Sequence, residues 1–91
     1  MKKSLVTHEH RVFLDTLAHA RRGSKMTQVD VAERLGTTQS HISKIERGEI
    51  RVDIVQLRTI CHVLGLSLPA FVRRFERRLA EQKRSGNEDP D

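Results

Sequence analysis

The sequence predicts an all-α domain of five helices, and three observations carry that expectation. Apolar residues recur at spacings of three and four in five separate stretches, as they do when one face of a helix turns inward. Each stretch opens on a residue able to cap a helix: Thr7, Thr27, Thr37 or Thr38, Asp53 and Ser67. Glycines 23, 36, 48 and 65 close the first four. No strand-like alternation and no internal repeat interrupts this pattern.

The first helix runs from His8 to Arg22, with Thr7 as its cap and Glu9 near the positive end of its dipole. Phe13, Leu14, Leu17 and Ala20, with Val12, form its apolar face. Arg21 and Arg22 suit its negative end, and Gly23-Ser24 stop it. The second helix starts at Thr27. The Thr27 hydroxyl can accept from the Asp30 N–H while the Asp30 carboxylate answers, a reciprocal capping pair. Val31, Ala32 and Leu35 face inward, and Gly36 ends the helix in the left-handed region glycine adopts cheaply.

The third helix turns Ile42 and Ile45 inward and carries Gln39, Ser40, Ser43, Lys44 and Arg47 on its other surfaces. Its polar side is thus left to touch something outside the domain. Residues 49–52 form a loop. Asp53 caps a fourth helix to about Leu64, with Ile54, Leu57, Ile60, Cys61 and Leu64 on its apolar face. Ser67 caps a fifth, whose first turn tolerates Pro69. Leu68, Phe71, Val72, Phe75 and Leu79 make its stripe, and Arg73, Arg74, Arg77 and Arg78 cover the rest. The expected organisation is a loose arm over residues 1–7, a helical domain over 8–84 and a disordered acidic tail over 85–91.

Ninety-one residues suit one small domain. The single Cys61 cannot form an internal disulfide, and no run approaches signal length or the roughly 20 apolar residues of a membrane span. A soluble, cytoplasmic protein is expected. Lys and Arg number 17 against 12 Asp and Glu. Three of the acids, Glu88, Asp89 and Asp91, fall in the last four residues, leaving 17 bases against 9 acids elsewhere. That excess favours a polyanionic partner, nucleic acid ahead of an anionic membrane surface. The absence of Trp and Tyr argues against single-strand recognition by aromatic stacking.

Other chemistries find little support. His8 and His10 flank Glu9, but residues two apart on a helix point in different directions. His19 and His62 lack local partners, so no metal site is expected. Cys61 reads as a packed thiol on an apolar stripe rather than a redox sensor. No Ser/His/Asp or Cys/His constellation and no Gly-rich phosphate loop is present, so neither an enzyme nor a cofactor is expected.

The words TQVDVAERLG, TTQSHISKIERG and LRTICHVLGLSL resemble the xenobiotic-response-element regulators, a large family with a Cro/CI-type (lambda-repressor-like) helix-turn-helix. The resemblance covers about residues 9–75. It implies a five-helix lambda-repressor-like DNA-binding domain whose third helix lies in the major groove. Carried across by position, it makes Thr38, Gln39, Ser40 and Lys44 candidates for base or nearby backbone contact. Gln28, Arg47 and, more loosely because loop lengths vary, Arg51 become candidates for phosphate contact. Ser43, on the same helix as Arg47, is a further phosphate candidate, with plain solvent as its alternative. Chemistry suits these roles: Gln39 can pair with adenine N6 and N7, and Lys44 can donate to guanine O6 and N7. Lys2 and Lys3 could add phosphate contacts from a basic arm, but a solvated terminus explains them as well. His41 sits at the edge of this surface.

The resemblance also pairs Glu46 with a basic residue near the end of the first helix, here Arg21, locking the first helix to the third. It implies a transcriptional regulator, most simply a repressor, acting on double-stranded DNA as a homodimer at a near-palindromic site. Leu66, Leu68 and Leu79 are the candidate dimer residues. Alternatives are an antitoxin that also binds a toxin, a restriction–modification controller protein, or a helix-turn-helix used only for protein interaction. A membrane role for the arginine-rich face of the fifth helix ranks behind a plain solvated face.

Overall fold

Each helix starts just after its capping residue, and the five expected helices are all present. The computed structural model describes residues 7–87. It contains α1 (His8–Gly23), α2 (Gln28–Leu35), α3 (Gln39–Glu46), α4 (Ile54–Val63) and α5 (Leu68–Asn87), with no strand among the described residues. The Thr7 hydroxyl accepts from the His10 N–H at 3.0 Å and the Ser67 hydroxyl from the Ala70 N–H at 3.2 Å. Asp53 caps α4 reciprocally: its Oδ1 accepts from the Gln56 N–H at 2.7 Å, and the Asp53 N–H donates to Gln56 Oε1 at 2.8 Å.

Packing follows from the apolar stripes. α1 lies against α3 and α5, α2 against α3 and α4, and α4 against α5. Leu17, Ala20, Val31, Ala32, Ile42, Ile45, Ile60, Cys61, Leu64 and Phe71 make one buried cluster. Alanines 20 and 32 let helices approach where a larger side chain would hold them apart. Phe13 packs edge-on against both Phe71 and Phe75, with ring centroids 5.9 and 6.3 Å apart, and so joins α1 to α5. The fully buried Thr16 satisfies its hydroxyl by donating to the Val12 carbonyl at 2.7 Å. No single helix among the described residues is long and apolar enough to cross a membrane.

Four expectations need correction. Ile54 fits the apolar face of the fourth helix by spacing, but it is 66% exposed at the first position of α4, ahead of the turn that meets the core. Val72 fits the stripe of the fifth helix by spacing, yet it is exposed, because Phe71, one position earlier, takes the core-facing place. Gly23-Ser24 do not end α1 by a glycine turn. The helix continues through Gly23, Ser24 caps it, and Lys25 takes the left-handed conformation at φ 62°. The Lys25 and Met26 N–H groups close the helix by donating to the Arg22 and Arg21 carbonyls at 2.9 and 3.3 Å. The Ser24 hydroxyl shares its one hydrogen between the Ala20 and Leu64 carbonyls at 3.0 and 2.8 Å, tying the end of α1 to that of α4. Finally, α5 runs to Asn87, three residues past the expected boundary at Arg84. The acids Glu88, Asp89 and Asp91, and residues 1–6 of the expected arm with Lys2 and Lys3, lie outside the described residues.

Candidate nucleic-acid interface

Two short helices meeting at a tight turn set the geometry of the site. The reciprocal cap at the start of α2 forms as expected: the Asp30 N–H donates to Thr27 Oγ1 at 3.0 Å and the Thr27 N–H to Asp30 Oδ2 at 2.9 Å. The Thr27 backbone N–H, aided by the Thr27 hydroxyl, holds the Asp30 carboxyl below the usual carboxylate range. Gly36 then turns the chain at φ 72°. A Cβ there would meet nothing within 4 Å, so the position calls for glycine's backbone freedom rather than for space. The Thr37 N–H reaches back to the Ala32 carbonyl at 2.9 Å. Of the two candidate caps, Thr38 is the one used, its hydroxyl accepting from the His41 N–H at 3.1 Å.

α3 is anchored by one face. Ile42 and Ile45 are buried, while Thr38, Gln39, Ser40 and Lys44 are exposed and Ser43 is half-buried. Each of the four candidate base readers therefore reaches solvent, with Thr38 also serving as the cap. His41 is half-buried at the edge of a groove with Leu35, Thr37 and Val55.

A chain of hydrogen bonds links this face to the rest of the domain. Arg21 Nε donates to Glu46 Oε2 at 2.7 Å, and Nη2 donates to Oε1 at 3.1 Å. The remaining Arg21 nitrogen donates to the Met26 carbonyl at 2.9 Å. Glu46 Oε1 also accepts from Gln28 Nε2 at 3.0 Å, and Gln28 Oε1 accepts from Gln39 Nε2 at 2.6 Å. The structure thus brings Arg21, Glu46, Gln28 and Gln39 into one line from α1 to the exposed end of α3. The brace costs Gln39 one amide hydrogen. It leaves one donor and the amide oxygen, the two groups that adenine N7 and N6 require. Gln28 likewise keeps one amide hydrogen for an anion beside the N-terminus of α2.

The remaining candidates are placed differently. Arg47 Nε donates to Glu49 Oε2 at 2.8 Å and Nη2 to Oε1 at 3.3 Å, while Nη1 donates to Ser43 Oγ. Ser43 and Arg47 therefore bond to one another at the far end of α3. The facing Glu49 carboxylate raises the Arg47 pKa, and its own pKa is lowered chiefly by the hydrogen bond from Arg47. Arg51 is exposed and lines a separate groove with Thr7, Glu9 and His10, beside the start of α1. Leu66 and Leu68 are partly buried against the core, and Leu79 is half-buried on α5.

Sequence reasoning missed two partners. The Gln28–Glu46 and Gln28–Gln39 bonds join residues 18 and 11 apart, which no local pattern reveals. Glu49 carried a usable signal, an acid two residues past an arginine with a turn glycine between them. Burial raises the Cys61 thiol pKa, as a packed thiol requires.

The comparisons with known proteins agree with this geometry. A helix-turn-helix family matches residues 17–71, which run from inside α1 to the first turn of α5. A protein of Sinorhizobium fredii (strain NBRC 101917 / NGR234), described as the uncharacterized HTH-type transcriptional regulator y4dL, is 40% identical over 52 residues. That match takes in 57% of this chain but only 26% of the relative, so the chain spans about a quarter of the relative's length. No solved structure matches. With more than half the chain matched, and α2, the Gly36 turn and α3 all inside the match, the chain belongs to the xenobiotic-response-element family of Cro/CI-type helix-turn-helix regulators.

Proposed function

We propose that this chain binds duplex DNA sequence-specifically by laying α3 in the major groove, and regulates transcription by occupying its site. The observation that carries the reading is the two-sided α3. Ile42 and Ile45 fasten one face, and Gln39, braced by Gln28, stands with Ser40 and Lys44 on the other. A braced reader loses less conformational freedom on binding than a free side chain would. Thr38, Gln39, Ser40 and Lys44 are the proposed readers. Gln28, Ser43, Arg47 and Arg51 are the proposed phosphate contacts.

The reading extends to repression as a homodimer on a near-palindromic operator. Repression needs no more than occupancy of a promoter. Leu66 and Leu68 each keep an outer part for a second copy, with Leu79 further along α5. The cytoplasm, with access to the nucleoid, is the proposed location, and no catalytic step is assigned.

Selection from random duplex DNA followed by salt titration tests this function. An enriched motif whose affinity falls steeply with salt is the expected result. Gln39→Ala should relax preference at one base position and cost about 1–3 kcal/mol there. Arg47→Ala should weaken all sequences alike and flatten the salt slope. No enriched motif, or two variants behaving identically, would refute the division into readers and anchors.

A further inference from the structure

Glu49 stands where a phosphate-binding end of α3 would least be expected to hold an acid. Its position is fixed by the backbone. Gly48 is left-handed at φ 83°, and the Glu49 N–H donates to the Lys44 carbonyl at 2.9 Å. The chain is thereby folded back over the last turn of α3. Its carboxylate meets the Arg47 fork in two places, at 2.8 and 3.3 Å, while the third guanidinium nitrogen is held by Ser43 Oγ. The pair stays in contact with water, the two side chains being 54% and 52% exposed.

A guanidinium fork grips carboxylate and phosphate through the same paired N–H groups. Arg47 cannot offer that fork to Glu49 and to a backbone phosphate together. The geometry points to Glu49 as an internal competitor for phosphate. It keeps the Arg47 fork oriented at the end of α3 in the DNA-free chain, and it must be displaced before that same Nε/Nη2 fork can grip a phosphate. Its hydrogen bonds among the described residues run to Arg47 and the Lys44 backbone, not to Gln39 or Gln28, and the Lys44 ammonium interacts with it only through charge and more weakly than Arg47 does. Glu49 therefore acts chiefly through Arg47 and lowers affinity for any duplex by a similar factor, with little effect on base preference. This inference rests on the DNA-binding reading above, and it makes Glu49 a positioning residue that acts through Arg47.

The test compares the full chain with its Glu49→Gln variant, which keeps the shape and removes the charge. Fluorescence anisotropy is read on a selected duplex and on a scrambled one across a salt series. Neutralising one exposed competitor should tighten both complexes about two- to fivefold near physiological salt. The salt slope should steepen by up to about 0.9, because Glu49 no longer recaptures a cation as Arg47 leaves it. In an Arg47→Ala background most of that gain should vanish. An equal gain in that background would overturn the inference, since Glu49 would then act on DNA by distant repulsion. Unchanged affinity and slope would overturn it too, as would tightening on the selected duplex alone. If the wild-type chain binds no duplex at all, the DNA-binding reading falls and takes this inference with it. Failure of the Glu49 comparison alone leaves that reading standing.

Discussion

Glu46 accepts from Arg21 through two nitrogens and from Gln28 through a third donor, yet its side chain is only 10% exposed, and that of Arg21 only 12%. An exposed pair of this kind contributes under about 1 kcal/mol, but removing one partner of a shielded pair strands the other charge away from water. Glu46→Ala should therefore cost about 2 kcal/mol in urea unfolding, and should free Gln28 and with it Gln39. Replacing both Arg21 and Glu46 by leucine should cost less than the single change, and a larger loss in the double variant would contradict the stranded-charge account. His10 offers a second residue-level test. Burial, aided by Arg51 and Arg11, pushes its imidazole pKa below the ordinary value of 6.5. The unfolded chain then takes up the proton first as pH falls. The His10 contribution is complete above about pH 6.5 and shrinks below it, down to the folded pKa. The lowered carboxyls of Asp30 and Glu49 act in the same direction over a lower range, losing their contribution only near and below about pH 4. Urea unfolding should show stability falling as pH drops below about 6.5, with a smaller fall in His10→Gln. Equal falls in both proteins would assign the effect to other groups.

Among the elements, the end of α1 is the one built against local preference. Lys25 at φ 62° carries the strain that a Cβ meets in the left-handed region, about 1 kcal/mol, in a place where glycine commonly sits. Lys25→Gly should relieve that strain, less the entropy a glycine adds to the unfolded chain, for a net gain below about 1 kcal/mol. Thermal melting should rise by a few degrees at most, and a fall would show that the Lys25 side chain contributes more than its backbone costs. The same turn marks the limit of what was legible in the sequence. Five helices could be read because each carries its own cap and stripe within a dozen or so residues. The Thr27–Asp30 pair and the Gly36 turn are local chemistry of that kind. By contrast, the left-handed residue is Lys25, two positions past Gly23, and Ser24 beside it is bonded to Leu64, 40 residues away, which no local pattern reveals. Ile54 and Val72 fit apolar stripes by spacing, but which member of a stripe meets the core depends on where the neighbouring helix ends. In the candidate site, the outward placement of Gln39, Ser40 and Lys44 follows from Ile42 and Ile45 being inward. The bonds from Gln28 to Glu46 and to Gln39 depend on how α2 crosses α3, which no stripe encodes.

At the scale of the whole molecule, one core holds all five helices, and Phe71, 1% exposed, joins α5 to the cluster that fixes α3. The proposed reading helix is therefore presented by a firm platform, but it is short. Eight residues make α3 about 12 Å long, enough to lie along roughly four base pairs. Four base pairs recur far too often in a genome to define a site, and the proposed second copy answers that deficit by doubling the contact. A two-fold pair places its α3 helices on half-sites one helical turn apart, about 34 Å or 10 base pairs. The expected operator is thus two inverted half-sites at that spacing, bound by two chains. Inserting about five base pairs between the half-sites would rotate one to the opposite side of the duplex, and affinity should fall to that of a single half-site. Analytical ultracentrifugation of the selected duplex with the full chain reads the stoichiometry, and anisotropy on the spaced duplexes reads the affinity. One chain per duplex, or indifference to the insertion, would mean that α3 acts alone and that specificity must come from DNA shape at bases it does not touch.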